Sequence, residues 1–314
     1  MDIKEVLDSV YEDIKPCIGQ GDVADYIPEL AKVRPDRFGI SLALSDGRVY
    51  SSGDYEICFS VQSIAKVFLL TMVLQDIGDS IWKRVGREPS GCSFDSIVQL
   101  EHENGIPRNP FVNAGAIVMT DAMLEKSSAD CEIENFLNFM RDVSNDSSIY
   151  IDSVVANSEI STGYRNFALA NFIRSYGNLT NDVADVLRVY CNHCALMMNC
   201  VQLARSGLYL AFRGYNQMTN KQVISAQQSR CVNSIMLTCG HYDNSGDFAY
   251  RVGFPGKSGV GGGILAIVPS KASIAVWSPG LNKAGNSLLG YRALELLAIR
   301  TGWSIFDYDD GLSL

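Results

Sequence analysis

The chain has 314 residues, of which 47% are hydrophobic and 19% are charged, and its formal net charge is −9. This length and composition predict a globular protein with one large domain or two closely packed subdomains. An acidic chain without a basic run is a poor candidate for binding nucleic acid or an anionic membrane surface. We therefore expect neither of these partners.

No apolar stretch is long enough to span a bilayer, and the most apolar one, residues 64–74, is interrupted by Lys66 and Thr71. Residues 1–15 are acidic and helix-periodic, without the basic and then apolar regions of a signal peptide. Nine cysteines are scattered without a disulfide framework. These features predict reduced thiols and a cytoplasmic protein.

The first half of the chain begins with a few short elements and continues into a helical block. In chain order the early elements are helices 2–17 and 22–32, strands 38–44 and 48–52 around an Asp46-Gly47 turn, and a helix that begins at Ser63. Between about 79 and 240 nearly every periodic segment predicts a helix. Examples are 93–103, 113–125, 132–143, 165–176, 181–198 and 225–239.

After residue 246 the pattern changes to strands and then to a closing helix. The strands are predicted at 247–253, 262–269 and 272–279, the last two around a Ser270-Lys271 turn, and the helix at 286–302. Strands near both ends with helices between them predict one α/β (α+β) domain, 1–314, in which the terminal strands share an antiparallel sheet flanked by helices, including the first and the last. The sheet-containing subdomain would cover about 1–70 and 241–314, and an inserted all-helical subdomain about 71–240.

Two Ser-x-x-Lys patterns occur, Ser63 with Lys66 and Ser80 with Lys83, and this spacing places each pair on one helix face. Charged neighbours around Ser80 are typical of a solvated helix start, whereas the helix after Ser63 is apolar on all sides, which indicates burial. A buried lysine has a lowered pKa, and its neutral amine can activate a serine. Alternatively, Lys66 reaches the surface along the helix edge. The pattern alone does not choose.

A Ser-x-x-Lys pair with a later Lys-Thr-Gly is typical of class A β-lactamases and penicillin-binding proteins. Lys257-Ser258-Gly259 is a candidate for the later element, and Val260, three glycines and a predicted strand follow it. Glycines at a strand edge let backbone N–H groups approach a ligand closely, as an oxyanion hole requires. A phosphate-binding loop fits less well, because Arg251 replaces its first glycine and a strand follows instead of a helix.

Other patterns are less specific. Tyr-x-Asn, the middle element of those enzymes, occurs at 164–166, 190–192 and 242–244, so spacing cannot choose among the three. Cys191-Asn192-His193-Cys194 lies in a predicted helix without a second pair of ligands, which favours core packing over zinc. We expect no metal. The histidines are His102, His193 and His241, and none has the setting of a catalytic triad, which favours lysine as the base.

Over residues 19–305 the sequence resembles the bacterial-type glutaminases, the Ser/Lys-dependent hydrolases that convert L-glutamine to L-glutamate and ammonia. The stretches that carry the resemblance are ADYIPELA at 24–31, QSIAK at 62–66, VGREPSG at 85–91, RNPFVNAGAI at 108–117, SE at 158–159, RNFA at 165–168 and CGHYDNSGDFAYRVGFPGKSGVGGGI at 239–264. The resemblance implies a serine β-lactamase-like fold, L-glutamine as substrate, no cofactor, and a homodimer or homotetramer.

The resemblance also implies the roles of individual residues. Ser63 would be the nucleophile, Lys66 its base and Tyr242 a partner in proton transfer, while the N–H groups of Ser63 and Val260 would form the oxyanion hole. Substrate binding would involve Tyr26, Gln62, Ser63, Asn113, Glu159, Asn166, Tyr190, Tyr242 and Val260. The Glu159 carboxylate suits the α-ammonium of glutamine, and amide and phenol donors suit its α-carboxylate.

Two other functions remain open at this stage. A β-lactamase or penicillin-binding-type serine acyl hydrolase would share Ser63 and Lys66, and nitrocefin turnover would favour it. A non-catalytic glutamine-binding protein of the same fold would bind glutamine without releasing ammonia.

Overall fold

The computed structural model describes residues 2–91 and 96–307. Its strands are β1 (Gly39–Leu44), β2 (Val49–Gly53), β3 (Phe59–Ser60), β4 (Tyr150–Ile151), β5 (Leu196–Met198), β6 (Tyr215–Asn216), β7 (Lys221–Gln222), β8 (Gly256–Ser258), β9 (Gly263–Val268) and β10 (Ala272–Trp277). The main sheet has the order β2-β1-β10-β9-β8 and is antiparallel throughout. Strands from the two ends of the chain therefore share one sheet, as predicted.

Both faces of this sheet are buried, and the side chains alternate between two cores. In β10, Ile274 and Val276 face the core that contains the first and last helices, while Ala275 and Trp277 face a second core. This alternation follows from the two-residue period of a strand. The sheet is thus a middle layer that helices cover on both sides, which confirms the predicted α/β arrangement.

The helices are α1 (Ile3–Ile14), α2 (Ala65–Asp76), α3 (Ile97–His102), α4 (Asn113–Leu124), α5 (Ala129–Ser144), α6 (Ser153–Thr162), α7 (Tyr164–Ser175), α8 (Val183–Cys194), α9 (Cys200–Ser206), α10 (Leu208–Ala211), α11 (Ala226–Cys239), α12 (Ser245–Arg251) and α13 (Leu288–Thr301). Within the described ranges, no helix is long and apolar enough to cross a membrane.

The region between the sheet strands is mostly helical, as predicted, but it is not entirely so. The helix predicted at 181–198 ends at Cys194, and Leu196–Met198 form β5, which pairs with β3 next to the start of α2. The first residues of the helix predicted at 93–103 lie outside the described residues, as do residue 1 and residues 308–314 at the two ends of the predicted sheet-containing subdomain.

The prediction of a helix at 22–32 is wrong. This segment is a loop with one 3-10 turn, Leu30–Lys32. Its start is held to the other end of the chain, because Asp22 and Leu281 exchange backbone hydrogen bonds of 3.1 and 2.9 Å. Pro28 also lacks the N–H that a helix interior needs. The extended loop carries Tyr26 and Ile27 to the edge of a pocket.

The prediction of a strand at 247–253 is also wrong, because Ser245–Arg251 form α12. The residues Phe248, Tyr250 and Val252 fit the alternation of a strand. Phe248 and Val252 are also four residues apart, which places them on one face of a helix. Both are buried, whereas Tyr250 is 91% exposed. The tertiary packing therefore selects the helical period.

Candidate active site

Ser63 lies in a tight turn between strand β3 and helix α2. A 3-10 turn, Gln62–Ile64, joins the two elements and leads directly into α2. Gln62 has a φ of +50°, a left-handed conformation that is uncommon for a residue other than glycine. Such strained positions concentrate at functional sites, where the surrounding structure holds them. The turn presents Ser63 at the bottom of a pocket.

Lys66 does not reach the surface, because it is only 2% exposed. Its Nζ donates to Asn113 Oδ1 at 2.6 Å and to the Phe111 carbonyl at 3.3 Å. Burial lowers the pKa of Lys66 to about 8, while the neighbouring Cys194 and Glu159 side chains oppose this shift. A neutral amine has two N–H donors and one lone pair. The two oxygen acceptors can therefore satisfy the donors and leave the lone pair for another proton.

Tyr242 contacts the serine from the opposite side of the site. Its hydroxyl donates to the Ser258 carbonyl at 3.4 Å. Burial raises the pKa of Tyr242, and the nearby Ser63 side chain opposes that shift. Like Gln62, Tyr242 has a left-handed backbone, with a φ of +54°. Two conformationally unusual residues thus flank the same serine hydroxyl.

Lys257 is a second buried amine at this site, and the sequence assigned it no role beyond its motif. The residue is fully buried and donates to the Ser258 carbonyl. Its Nζ lies 4.8 Å from the centre of the Tyr242 ring, within the range of a cation–π contact. Burial holds the pKa of Lys257 well below its ordinary value, and the charge of Lys66 adds to the effect.

The glycine-rich loop after β8 packs directly against the turn that carries Ser63. A Cβ at Gly259 would lie 2.5 Å from the Val61 carbonyl, and one at Gly261 would lie 2.3 Å from the Ser60 carbonyl. Only glycine permits this approach of two backbones. Across the described part of the chain, the N–H groups of Ser63 and Val260 donate to no backbone carbonyl. Both remain available to a ligand oxygen.

A pocket of 220 Å³ opens above Ser63. Its lining contains Ser63 and the predicted binding residues apart from Tyr242: Tyr26, Gln62, Asn113, Glu159, Asn166, Tyr190 and Val260. Ile27, Thr162, Gly163 and Arg165 also line it, although the sequence patterns did not indicate these four residues. Each of the four lies close in the sequence to Tyr26, Glu159 or Asn166, so proximity to the predicted binding residues could have identified them.

The polar residues of the pocket are connected to one another. Asn113 accepts from Lys66 and donates to Asn166 Oδ1 at 3.0 Å, so its amide is held at both ends. Gln62 Nε2 donates to Glu159 Oε2 at 3.4 Å. Burial raises the pKa of Glu159 to about 7, whereas bonds to Gln62 and Cys194 and the charge of Lys66 oppose the rise. The pocket therefore holds a carboxylate near the amide side chains of Gln62, Asn113 and Asn166, and Arg165 also lines it.

The three Tyr-x-Asn patterns have different surroundings. Tyr242 touches Ser63, Tyr190 lines the pocket, and Tyr164 is 80% exposed.

The Cys191–Cys194 segment lies in the core on α8, with His193 stacked on Phe136. Among the residues that the structure describes, no cluster of His, Cys, Asp or Glu side chains is arranged to hold a metal ion.

A larger cavity of 540 Å³ lies elsewhere, between α11 and the turn that joins β9 to β10. Arg213 and Arg230 are on its rim, and none of the predicted site residues lines it. The smaller pocket is the better candidate for catalysis. Ser63 and Val260, whose N–H groups donate to no backbone carbonyl, line it, and the buried Lys66 follows Ser63 by three residues.

Comparisons with known proteins agree on one family. A family model described as glutaminase matches residues 21–306. A glutaminase of Rhizobium etli (strain CIAT 652) is 61% identical over 305 residues, covering 97% of this chain and 99% of that protein. A glutaminase of Rhizobium meliloti (strain 1021) is 58% identical, with 97% of each chain covered.

Solved structures give the same result. The probable glutaminase ybaS is 35% identical, with a TM-score of 0.93 and coverage of 98% of this chain and 100% of the other. A Bacillus glutaminase studied in 4.3 M NaCl is 33% identical, with a TM-score of 0.89 and coverage of 97% and 100%. The match extends along nearly the whole length of both chains, so the likeness covers the fold as a whole.

Proposed function

The chain belongs to the glutaminase family of serine β-lactamase-like fold and is a glutamine-hydrolysing enzyme, and we propose that it acts through a γ-glutamyl ester on Ser63. One observation carries this mechanism. Ser63 shares a helix start with a fully buried lysine, lies beside Tyr242, and lines a pocket that contains a buried carboxylate.

In the first step, the Lys66 lone pair takes the Ser63 proton and Oγ attacks the side-chain amide carbon of L-glutamine. The developing oxyanion receives hydrogen bonds from the N–H groups of Ser63 and Val260. Removing one donor of this kind commonly costs about 10²–10³ in rate. The C–N bond then breaks, and ammonia leaves with a proton from Tyr242 or Lys66. The acyl group stays on Ser63 as an ester.

In the second step, water attacks the ester carbon and gives up a proton to the same base. The tetrahedral intermediate collapses to L-glutamate, and Ser63 recovers its hydroxyl proton. The balance is one glutamine and one water consumed, and one glutamate and one ammonia formed. The partners of Lys66 support its role, because both are acceptors and leave the amine lone pair unoccupied.

Substrate selection would depend on charge and hydrogen-bond matching within the pocket. The Glu159 carboxylate faces the α-ammonium, and the polar frame of Asn113, Asn166, Tyr26, Gln62 and Tyr190 holds the rest of the amino acid. A polar frame of this kind rejects analogues that lack a matching group far better than an apolar pocket rejects added groups. L-glutamine should therefore be preferred over primary amides that lack the α-amino acid group.

The decisive experiment compares the wild type with Ser63→Ala for ammonia release from L-glutamine. We expect the variant to lose nearly all activity, since no nucleophile remains. Ser80→Ala is the matched control, because Ser80 begins the other Ser-x-x-Lys pattern and lies on an exposed turn. Ammonia release at the wild-type rate by Ser63→Ala would exclude the ester mechanism.

We also propose a cytoplasmic location and a homodimer or homotetramer. The acidic composition and the free thiols throughout the described chain support the location. The family resemblance supports the assembly. Light scattering on the purified protein should give two or four times the chain mass of 34.4 kDa, and a monomeric mass would contradict the proposal.

A further inference from the structure

Ser60 is a buried serine to which neither the sequence patterns nor the proposed mechanism gives a role. It is the last residue of strand β3, directly before the turn that carries Gln62 and Ser63. Ser60 is 5% exposed and is not among the residues that line the 220 Å³ pocket. Its hydroxyl forms hydrogen bonds with the Cys194 carbonyl at 2.8 Å and with Gln62 Nε2 at 3.0 Å. Because Gln62 does line the pocket, Ser60 lies one contact away from the substrate.

The partners of Ser60 determine the direction of both hydrogen bonds. A backbone carbonyl can only accept, so Ser60 donates its single hydroxyl proton to Cys194. The Ser60 oxygen must then accept the second bond, and the NH2 group of the Gln62 amide supplies that proton. Reversing the Gln62 amide would place its oxygen against a hydroxyl that has no proton left to donate. Ser60 therefore fixes which end of this amide points inward.

The second proton of the same NH2 group is also used within the protein. Gln62 Nε2 donates to Glu159 Oε2 at 3.4 Å, and an ionised carboxylate can only accept. With both N–H groups engaged, the Gln62 side chain can offer a ligand only its Oε1 atom. Glu159 lines the same pocket and is likewise an acceptor. Two neighbouring side chains thus present acceptors, and not donors, to the substrate.

The backbone around Ser60 is held by contacts with two other segments. Strand β3 pairs with β5, and the next N–H, that of Val61, donates to the Leu196 carbonyl at 2.9 Å. The Ser60 carbonyl is packed against Gly261, where a Cβ would approach it to 2.3 Å. Gln62 has a left-handed backbone, which persists only where the surrounding structure holds it. The Ser60 hydroxyl is therefore a fixed point from which the Gln62 amide is oriented.

We propose that Ser60 is a positioning residue that holds the Gln62 amide with its oxygen toward the substrate. Gln62 Oε1 and the Glu159 carboxylate then accept two of the three protons of the substrate α-ammonium, which has only donors. The inference rests on the proposed function, in which Glu159 binds the α-ammonium of L-glutamine, and it gives Gln62 the same partner. It separates Gln62 from the amide and phenol donors that suit the α-carboxylate.

The first test compares Ser60→Ala with the wild type in ammonia release and, in the Ser63→Ala background, in L-glutamine binding by calorimetry. Ser60→Ala should raise KM and weaken binding about three- to ten-fold, the range expected for one neutral hydrogen bond. The kcat should change little, because substrate and transition state lose the same contact. Ser206→Ala is the matched control. Ser206 is buried and donates to the Gln202 carbonyl, but it does not line the pocket.

A second pair, Ser60→Thr and Ser60→Val, keeps the side-chain shape nearly constant and changes only the hydroxyl. Ser60→Thr should bind L-glutamine about three- to ten-fold more tightly than Ser60→Val, because it retains both the donor and the acceptor. This pair decides the question if Ser60→Ala does not fold. Equal affinities of the threonine and valine variants would overturn the proposal.

A double-mutant cycle shows whether Ser60 acts through Gln62. Gln62→Met removes the amide, so adding Ser60→Ala to it should have almost no further effect on the affinity for L-glutamine. An effect of Ser60→Ala that is equally large with and without the amide would indicate a general change of packing and would overturn the positioning role.

The outcomes separate this inference from the proposed function. If the wild type releases ammonia and Ser60→Ala matches Ser206→Ala in KM, the Ser60 hydroxyl has no positioning role. If the wild type binds L-glutamine but releases no ammonia, the proposed function fails, and the calorimetric comparisons still decide the role of Ser60. A wild type that neither binds L-glutamine nor releases ammonia would exclude both proposals.

Discussion

Glu159 is the acidic side chain among the residues that line the pocket, and it is buried there. In a Ser63→Ala background, where no turnover occurs, Glu159→Gln should weaken L-glutamine binding by about ten-fold or more, because the α-ammonium loses its counter-charge. Calorimetry measures this directly. The exposed Glu134→Gln is the control. Unchanged affinity in Glu159→Gln would mean that the carboxylate does not face the ammonium.

Lys66 should give the enzyme a characteristic pH dependence. Burial lowers its pKa to about 8, and the base must be neutral to accept the Ser63 proton. The value of kcat/KM should therefore rise with pH through about 8, with a further contribution near 7 where Glu159 ionises. Initial rates of ammonia release between pH 5.5 and about 9.5 check this, since the limb reports the free enzyme. A profile that is flat above pH 6 would exclude Lys66 as the base.

Burial of Lys66 in helix α2 lowers the free energy of unfolding of the protein. Every residue from Ala65 to Leu74 is buried, so the helix would be more stable with an apolar side chain at position 66. Because the folded pKa of Lys66 is lowered, the penalty is fully present below pH 8 and disappears as pH rises past its unfolded value of 10.5. The free energy of unfolding gained by Lys66→Met should thus be greater at pH 6 than at pH 10, by about 2–3 kcal/mol.

Urea unfolding at the two pH values measures this difference. Comparing one variant at two pH values cancels the constant cost of leaving the Asn113 and Phe111 acceptors unpaired. Lys83→Met is the matched control, because Lys83 belongs to the exposed Ser-x-x-Lys pattern, and its effect should not change with pH. An equal effect of Lys66→Met at both pH values would show that burial does not lower the pKa of Lys66 in the folded protein.

At the scale of the whole molecule, the sheet depends on both ends of the chain. Strands β1 and β10 are neighbours, and α1 and α13 pack together over one face of the sheet. Leu297 on α13 is fully buried there, whereas Ile299, two residues later, is 71% exposed. Leu297→Ala should lower the free energy of unfolding by about 2–5 kcal/mol, as for other buried leucines. Ile299→Ala should change it by less than about 1 kcal/mol.

Urea unfolding monitored by tryptophan fluorescence and by circular dichroism compares the two variants. Trp277 lies in β10, so the summed fluorescence of the three tryptophans includes a signal from the sheet. The two signals should change together if the sheet and the helices unfold as one unit. Similar losses of stability in the two variants would contradict the inferred packing of α13.

The sequence predicted local structure well, because local structure depends on residues that are close together along the chain. Periodicity identified most helices and the β1–β2 hairpin, and the apolar run around Lys66 indicated a buried helix but left open whether the lysine side chain itself reaches the surface. The same reasoning failed at 22–32 and 247–253. In the first segment a bridge to Leu281 replaces local hydrogen bonds, and in the second Phe248 and Val252 satisfy the periods of strand and helix equally well.

The sequence by itself determined which residues have the right chemistry: a serine three residues before a lysine in an apolar helix, and glycines at a strand edge. Only the tertiary structure decided which residues meet. The acceptors of Lys66 come from α4 and the loop before it, Tyr242 lies beside Ser63, and Gln62 of the same turn donates to Glu159 on α6. Spacing governs contacts within one helix or hairpin, whereas contacts between distant segments depend on how the elements pack.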